Sequence, residues 1–260
     1  MSYTAAVIGT GANPDDPETT GMGVAYLHGP SYSELDNCEL VACADIVREK
    51  AETFANTLDI PPDGVYEDYE TMLEAETPDI VSVCVPPDLH APIVLDVARS
   101  GTVAAIHCEK PMAVTWSDAQ RMASVCAQRG VQLTFNHQRR FGEQWTRAKQ
   151  LLDDGEIGDL ERIEMAAPAL YDWGAHCIDL CNYFNDDRQT EWVIGQVDYR
   201  EENVVFGVHK PTRRSSSGST TTGSPPWQPP GQRATPSAAA TSTTGWSGPA
   251  ASSRLTHSRT

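Results

Sequence analysis

The stretch Thr4-Ala5-Ala6-Val7-Ile8-Gly9-Thr10-Gly11 decides the fold. A short apolar run that ends in two glycines one residue apart reads as a buried strand leading into a tight turn. At such a turn the missing side chain lets backbone N–H groups approach a pyrophosphate, and the N-terminus of a following helix favours the negative charge. The third glycine of the usual dinucleotide fingerprint is absent, and Pro14 stands in its place. Residues Asn13–Thr20 read as an insertion, after which Gly21-Met22-Gly23 precedes a helical run at Val24–Leu35. The next apolar run, Leu40–Ala44, closes on Asp45. A carboxylate there can accept hydrogen bonds from both ribose hydroxyls of an adenosine; the alternative is a cap for the helix expected at Val47–Leu58. Asp45 lies 34 residues beyond Gly11 rather than about 20, and the insertion accounts for the excess. Its charge would repel a 2′-phosphate and favours NAD, while Arg48 leaves NADP open. Gly9, Thr10, Gly11 and Asp45 are therefore the first candidate cofactor-binding residues.

Strand and helix signals go on alternating. Ile80–Val85 is a continuous apolar run of the kind buried on both faces of a sheet, Ala91–Ser100 reads as a helix stopped by Gly101, and Val103–Cys108 as the next strand. Ser117-Asp118-Ala119-Gln120 has capping-box spacing and opens a helix that ends at Gly130, before a strand at Val131–Phe135. This βαβα succession predicts a doubly wound parallel sheet covered by helices. Beyond Phe141 the pattern changes, with a helix near Glu143–Asp153, a strand at Leu160–Ala166, a helix at Trp173–Phe184 and strands at Trp192–Tyr199 and Val204–Val208. These are few elements for an independent domain.

Charge divides the chain. All 36 acids lie at or before Glu202, so residues 1–209, with thirteen basic residues, carry a balance of −23, and residues 210–260 carry +6. A body this acidic repels nucleic acid and anionic membranes, and it resembles a surface suited to a high-salt cytoplasm. No apolar run reaches 18 residues, which excludes an ordinary transmembrane helix, and the residues up to Ile8 lack the pattern of a secretory signal. Seven cysteines without a Cys-x-x-Cys spacing read as reduced thiols in a cytoplasmic protein. From Lys210 onward, 33 of 51 residues are Ser, Thr, Pro or Gly and Leu255 is the one Val, Ile, Leu or Met, so disorder is expected there. The abrupt loss of acids in mid-pattern reads as a frameshifted or truncated C-terminus, with a genuine flexible tail as the alternative.

Two further clusters carry chemistry. Glu109-Lys110-Pro111 follows a buried strand at the carboxyl edge, where open α/β sheets bind ligands, and an ammonium there can polarise a substrate oxygen. Asp172 and His176 are four residues apart and Asp179 three further, a spacing that places all three on one helix face. Carboxylate and imidazole so arranged suit general-base work near neutral pH. An internally paired His–Asp and a metal site with Cys177 or Cys181 are the alternatives, but Cys177 points off that face and no second ligand cluster appears, so no metal is expected.

Taken together, AVIGTG (6–11), CADIV (43–47), VCVPPDLH (83–90), CEKP (108–111), FNHQRRF (135–141) and LYDWGAHCIDL (170–180) resemble, in this order, the glucose–fructose oxidoreductase/inositol dehydrogenase (Gfo/Idh/MocA) family over roughly residues 4–209. The resemblance implies a Rossmann domain at 1–137, a partial C-terminal α/β open-sheet domain for substrate binding and oligomerisation at 138–209, and a low-complexity tail at 210–260. It implies that Lys110 is the catalytic lysine and that Asp172 and His176 are the substrate-side pair, His176 accepting the proton. Pro86 and His90 match the family's cofactor-contacting loop, from which Val85 and Pro87 depart, and Glu109 matches a position near the nicotinamide. Asn136 and Arg139 or Arg140 fall at the domain junction. The implied activity is NAD(P)-dependent hydride transfer with a small-molecule substrate, a sugar or polyol. A full-length relative would be a homo-oligomer, its C-terminal sheet mediating assembly. The rival readings are a catalytically inactive, truncated dinucleotide-binding module and a metal-dependent hydrolase or isomerase built on Asp172, His176 and Asp179.

Overall fold

The computed structural model describes residues 2–16, 23–167 and 169–195, together with short strands at 204–205, 208–209 and 253–256. The chain divides into two compact units, one holding Met1–Asn136 and the other beginning at His137.

The first unit is a parallel sheet of six strands: β1 (Tyr3–Ile8), β2 (Cys38–Ala44), β3 (Val65–Tyr66), β4 (Ile80–Val83), β5 (Ala105–Cys108) and β6 (Gln132–Phe135). Their spatial order is β3-β2-β1-β4-β5-β6, every pair parallel, which is the doubly wound Rossmann arrangement. Five helices connect them: α1 (Ala25–Ser33), α2 (Arg48–Thr57), α3 (Tyr69–Glu76), α4 (His90–Ser100) and α5 (Trp116–Arg129). Alternation along β1 explains why both faces need cover. Ala5 and Val7 join Ala25, Phe54 and Cys43 in one apolar cluster, while Ala6 and Ile8 join Val81, Val94, Ile106 and Met122 in the other. The starts of β1 and β4 are stitched together, Thr4 N donating to Asp79 Oδ2 at 2.9 Å and Asp79 N to Thr4 Oγ1 at 3.2 Å.

Two local expectations change here. Helix α5 begins at Trp116, and its cap is Thr115 rather than Ser117: Thr115 is extended and its Oγ1 accepts from Asp118 N at 3.1 Å. The pair β3 and α3 has no clear signal in the mixed polar stretch between Ile60 and Asp79. It forms because β2 offers a free edge, to which Val65 and Tyr66 pair.

In the second unit, α6 (Glu143–Asp153), β7 (Arg162–Met165) and α7 (Trp173–Phe184) form where the pattern places them. Leu180 and Phe184 bury one side of α7, and the Trp145 ring lies 6.3 Å from that of Phe184. The strand expected at Trp192–Tyr199 is absent over Trp192–Gly195, and 196–199 lie outside the described residues. An apolar run needs a neighbouring strand to become one. Trp192, Val193 and Ile194 have no ladder partner among the described residues and stand largely exposed. The last expected strand divides into β8 (Val204–Val205) and β9 (Val208–His209), which pair with each other. The disorder expected over 210–260 concerns residues outside those described, apart from β10 (Ser253–Thr256). This strand pairs antiparallel with β7 and sets Leu255 in register with Ile163. Among the described residues no helix is long and apolar enough to cross a membrane.

Candidate active site

The strand order reverses between β1 and β4, and the turns after these two strands meet there. Gly9 has φ +85°, and a β-carbon on it would stand 2.6 Å from Val85 Cγ1 and 3.1 Å from Val85 N. Only glycine fits that conformation and that approach. A β-carbon on Gly23 would stand 2.2 Å from Ala12 O, so the chain comes back from the inserted stretch directly against the turn. Thr10 is fully buried. Its hydroxyl and the Gly11 N–H both donate to Asp45 Oδ2, at 3.1 and 3.0 Å, while Asp45 Oδ1 accepts from Val47 N at 2.9 Å. One carboxylate thus anchors the glycine turn and holds the backbone that leads into α2. Arg48 is drawn along its own helix, with Nε 2.8 Å from Glu52 Oε1.

The loop after β4 carries Pro86, whose carbonyl accepts from Leu89 N at 2.9 Å. His90 is fully buried, with Nδ1 2.9 Å from Pro111 O and Nε2 2.9 Å from Val85 O. Burial pushes its pKa below the ordinary value, and the hydrogen bonds to the backbone carbonyls oppose that shift. This alters the part the resemblance implies for it. Both nitrogens face backbone carbonyls, so His90 ties the β4 loop to the segment after Lys110 and offers no ring atom to a ligand.

Glu109 and Lys110 follow β5 directly. Glu109 is only 7% exposed. Its Oε1 accepts from Asn136 Nδ2 at 2.7 Å and from His28 Nε2 at 3.0 Å, and its Oε2 accepts from Lys110 N at 3.1 Å. Burial pushes this carboxyl upward, but the hydrogen bonds from His28 and Asn136, with the Lys110 amide, together hold it below its ordinary value. The sequence reading passed over His28 and its second partner, Ser82. The available signal was a lone hydroxyl in the otherwise apolar run Ile80–Val83.

On the second unit, Asp172 immediately precedes α7, and His176 lies buried in its first turn, its ring edge-on to His137 with centroids 5.9 Å apart. Asp179 is committed elsewhere: Arg140 Nε donates to its Oδ2 and Nη2 lies against its Oδ1, each at 2.8 Å. Arg140 also pairs with Asp187, and Arg139 stacks 4.4 Å above the Trp173 ring. The three-residue face expected on α7 therefore gives up Asp179 to an ion pair. Among the described residues no group of three His, Cys, Asp or Glu is arranged to hold a metal ion.

Residues 5–137 match the family described as an oxidoreductase family with an NAD-binding Rossmann fold, Gfo/Idh/MocA. The chain belongs to this family. Among curated Gfo/Idh/MocA relatives, D-apiose dehydrogenase of Paraburkholderia graminis is 32% identical over 133 residues, 51% of this chain and 34% of that protein. Myo-inositol 2-dehydrogenase of Thermotoga maritima is 22% identical over 187 residues, 66% of this chain and 55% of that protein. The chain thus spans about a third to a half of the length of these relatives. Its fold is similar to that of scyllo-inositol dehydrogenase from Lactobacillus casei, solved with NAD(H) and scyllo-inositol, at a TM-score of 0.60 and 19% identity over 71% of this chain and 56% of that one.

Proposed function

We propose that this chain binds NAD through its first unit and serves an NAD-dependent dehydrogenase reaction on a sugar, polyol or related secondary alcohol. The observation that carries the reading is the glycine turn at the point where the strand order reverses, braced by Asp45, with Glu109 and Lys110 at the carboxyl end of the same sheet. The turn fits the group. Gly9 and Gly11, at φ +85° and +68°, give the turn after β1 the glycine backbone of a dinucleotide site, and Asp45, at the end of the neighbouring β2, would accept from the hydroxyls of an adenosine ribose. When bound, the dinucleotide supplies the hydride acceptor of the reaction. Lys110 then stabilises the oxygen of the alcohol as its charge develops. His176 takes the hydroxyl proton and Asp172 orients the imidazole. Asp45, together with the engagement of Arg48 by Glu52, supports NAD over NADP. The relatives named for D-apiose and myo-inositol support the substrate class.

The acidic balance of residues 1–209 and seven cysteines without a disulfide support a reducing cytoplasm, and the charge supports one of high salt. The test is calorimetry of the full chain with NAD and NADP, followed by absorbance assays of nicotinamide reduction with a panel of aldoses and inositols. NAD binding with turnover of at least one of them is expected. Absence of NAD binding overturns the reading, and binding without turnover leaves only its cofactor half.

A further inference from the structure

A chain of buried and half-buried polar groups runs through the first unit to Lys110. Tyr32 and His28 lie on α1, Ser82 lies within β4, and Glu109 and Asn136 follow β5 and β6. Tyr32 Oη is 2.8 Å from Ser82 Oγ, Ser82 Oγ is 3.0 Å from His28 Nδ1, and His28 Nε2 is 3.0 Å from Glu109 Oε1. These partners assign the tautomer. Nε2–H donates to the carboxylate, and Nδ1 accepts from Ser82, which in turn accepts from Tyr32. Hydroxyl, imidazole and carboxylate are connected here as in a nucleophilic triad, yet Ser82 is 0% exposed, so no substrate reaches its hydroxyl. The end of the chain that leads outward is Lys110, through the bond from its N–H to Glu109 Oε2.

We infer that His28 is a positioning residue for Lys110: by donating to Glu109 Oε1 it locks the carboxylate, and the locked carboxylate fixes the Lys110 backbone at the end of β5. The inference rests on the proposed reaction only in giving Lys110 a task there. The geometry leaves one oxygen for each duty. Oε1 takes the two side-chain donors, so Oε2 is left for the Lys110 amide. Because α1 follows the glycine turn, the same bond joins the helix that would meet the pyrophosphate to the residue that would meet the substrate. The other titratable groups around Glu109 are Cys84 after β4, Cys108 on β5, His90 on α4 and His107 on β5. Burial holds both thiols protonated and disfavours the charged form of both imidazoles. His28 is thus the ring that faces Glu109 with an N–H.

The Lys110 amide proton reports directly on its acceptor. The chain has four lysines, so labelling with 15N-lysine gives a spectrum in which Lys110 is assigned by substitution. In the wild-type chain the Lys110 amide should hold a downfield shift with no titration above pH ~4.5, because the carboxylate stays ionised. His28→Leu should raise the midpoint above that of wild type, since a buried carboxyl short of one donor takes up a proton more readily. His28→Gln, which restores an N–H donor, should move the midpoint back. Should His28→Leu fail to fold, Ser82→Ala carries the test, because its route to Glu109 runs through the His28 ring. It should shift the midpoint in the same direction by less. A Lys110 amide that titrates identically in wild type and in a folded His28→Leu, or that ignores Ser82→Ala, overturns the inference. Calorimetry with NAD on the same samples is read separately: a wild type that binds no NAD refutes the proposed function and leaves the amide result standing.

Discussion

Gly9 lies against Val85 so closely that a β-carbon on Gly9 would come within 2.6 Å of Val85 Cγ1. That contact brings the first turn of the sheet and the loop after β4 together where the strand order reverses. Gly9→Ala is accordingly expected to destabilise the first unit. The left-handed conformation costs an L-residue about 1–2 kcal/mol, and overpacking typically adds about 1–3 kcal/mol. A denaturant midpoint equal to that of wild type would show that the turn relaxes without cost.

Asp45→Ala removes the carboxylate that holds the turn and that would meet the ribose. Hydrogen bonds to a charged group contribute about 1.5–3 kcal/mol each, so NAD affinity should fall about ten- to a hundredfold for each bond lost. NADP binding should fall less, because the charge opposing a 2′-phosphate is gone as well. Titration calorimetry with both nucleotides checks the direction and the difference.

Stability should depend on pH through groups whose ionisation the fold shifts. Burial lowers the pKa of His90 and His107 below the ordinary value. The unfolded chain therefore binds their protons first on acidification. Their contribution is fully present above pH ~6.5 and is lost as pH falls from there through the folded values. Glu109, also held below its ordinary value, adds a second loss that begins below pH ~4.3. Denaturant unfolding of wild type and His107→Gln between pH 7.5 and 5.5 isolates the first window. The variant should show the shallower decline, and parallel curves would remove His107 from the account.

Within the proposed reaction, Lys110→Ala and His176→Ala should each lower kcat by about 10²–10⁴-fold, the range for general acid–base and electrostatic groups. NAD affinity should stay near that of wild type. Wild-type turnover in both variants would place the chemistry on other residues.

The apolar runs that end in Gly9, Asp45, Val85 and Cys108, separated by helical periods, determined by themselves that the first unit is a parallel α/β sheet with its ligand edge at the glycine turn. Burial patterning is local: a strand covered on both faces must be apolar throughout, and a connecting helix must keep one apolar stripe, so each can be read within a dozen residues. The candidate residues at strand ends were legible for the same reason, since a strand's carboxyl end is where its pattern stops. Partnership is not local. His28 meets Ser82 across 54 positions and Glu109 across 81, and no short-range pattern announces a bond between residues so far apart. The tertiary structure alone decided that Asp45 braces the turn it was expected to serve, that His90 joins two backbones, that Asp179 belongs to Arg140, and that Lys110 stands on a buried carboxylate held by His28. Each of these follows from burying polar groups, which must find donors or acceptors wherever the folded chain brings them.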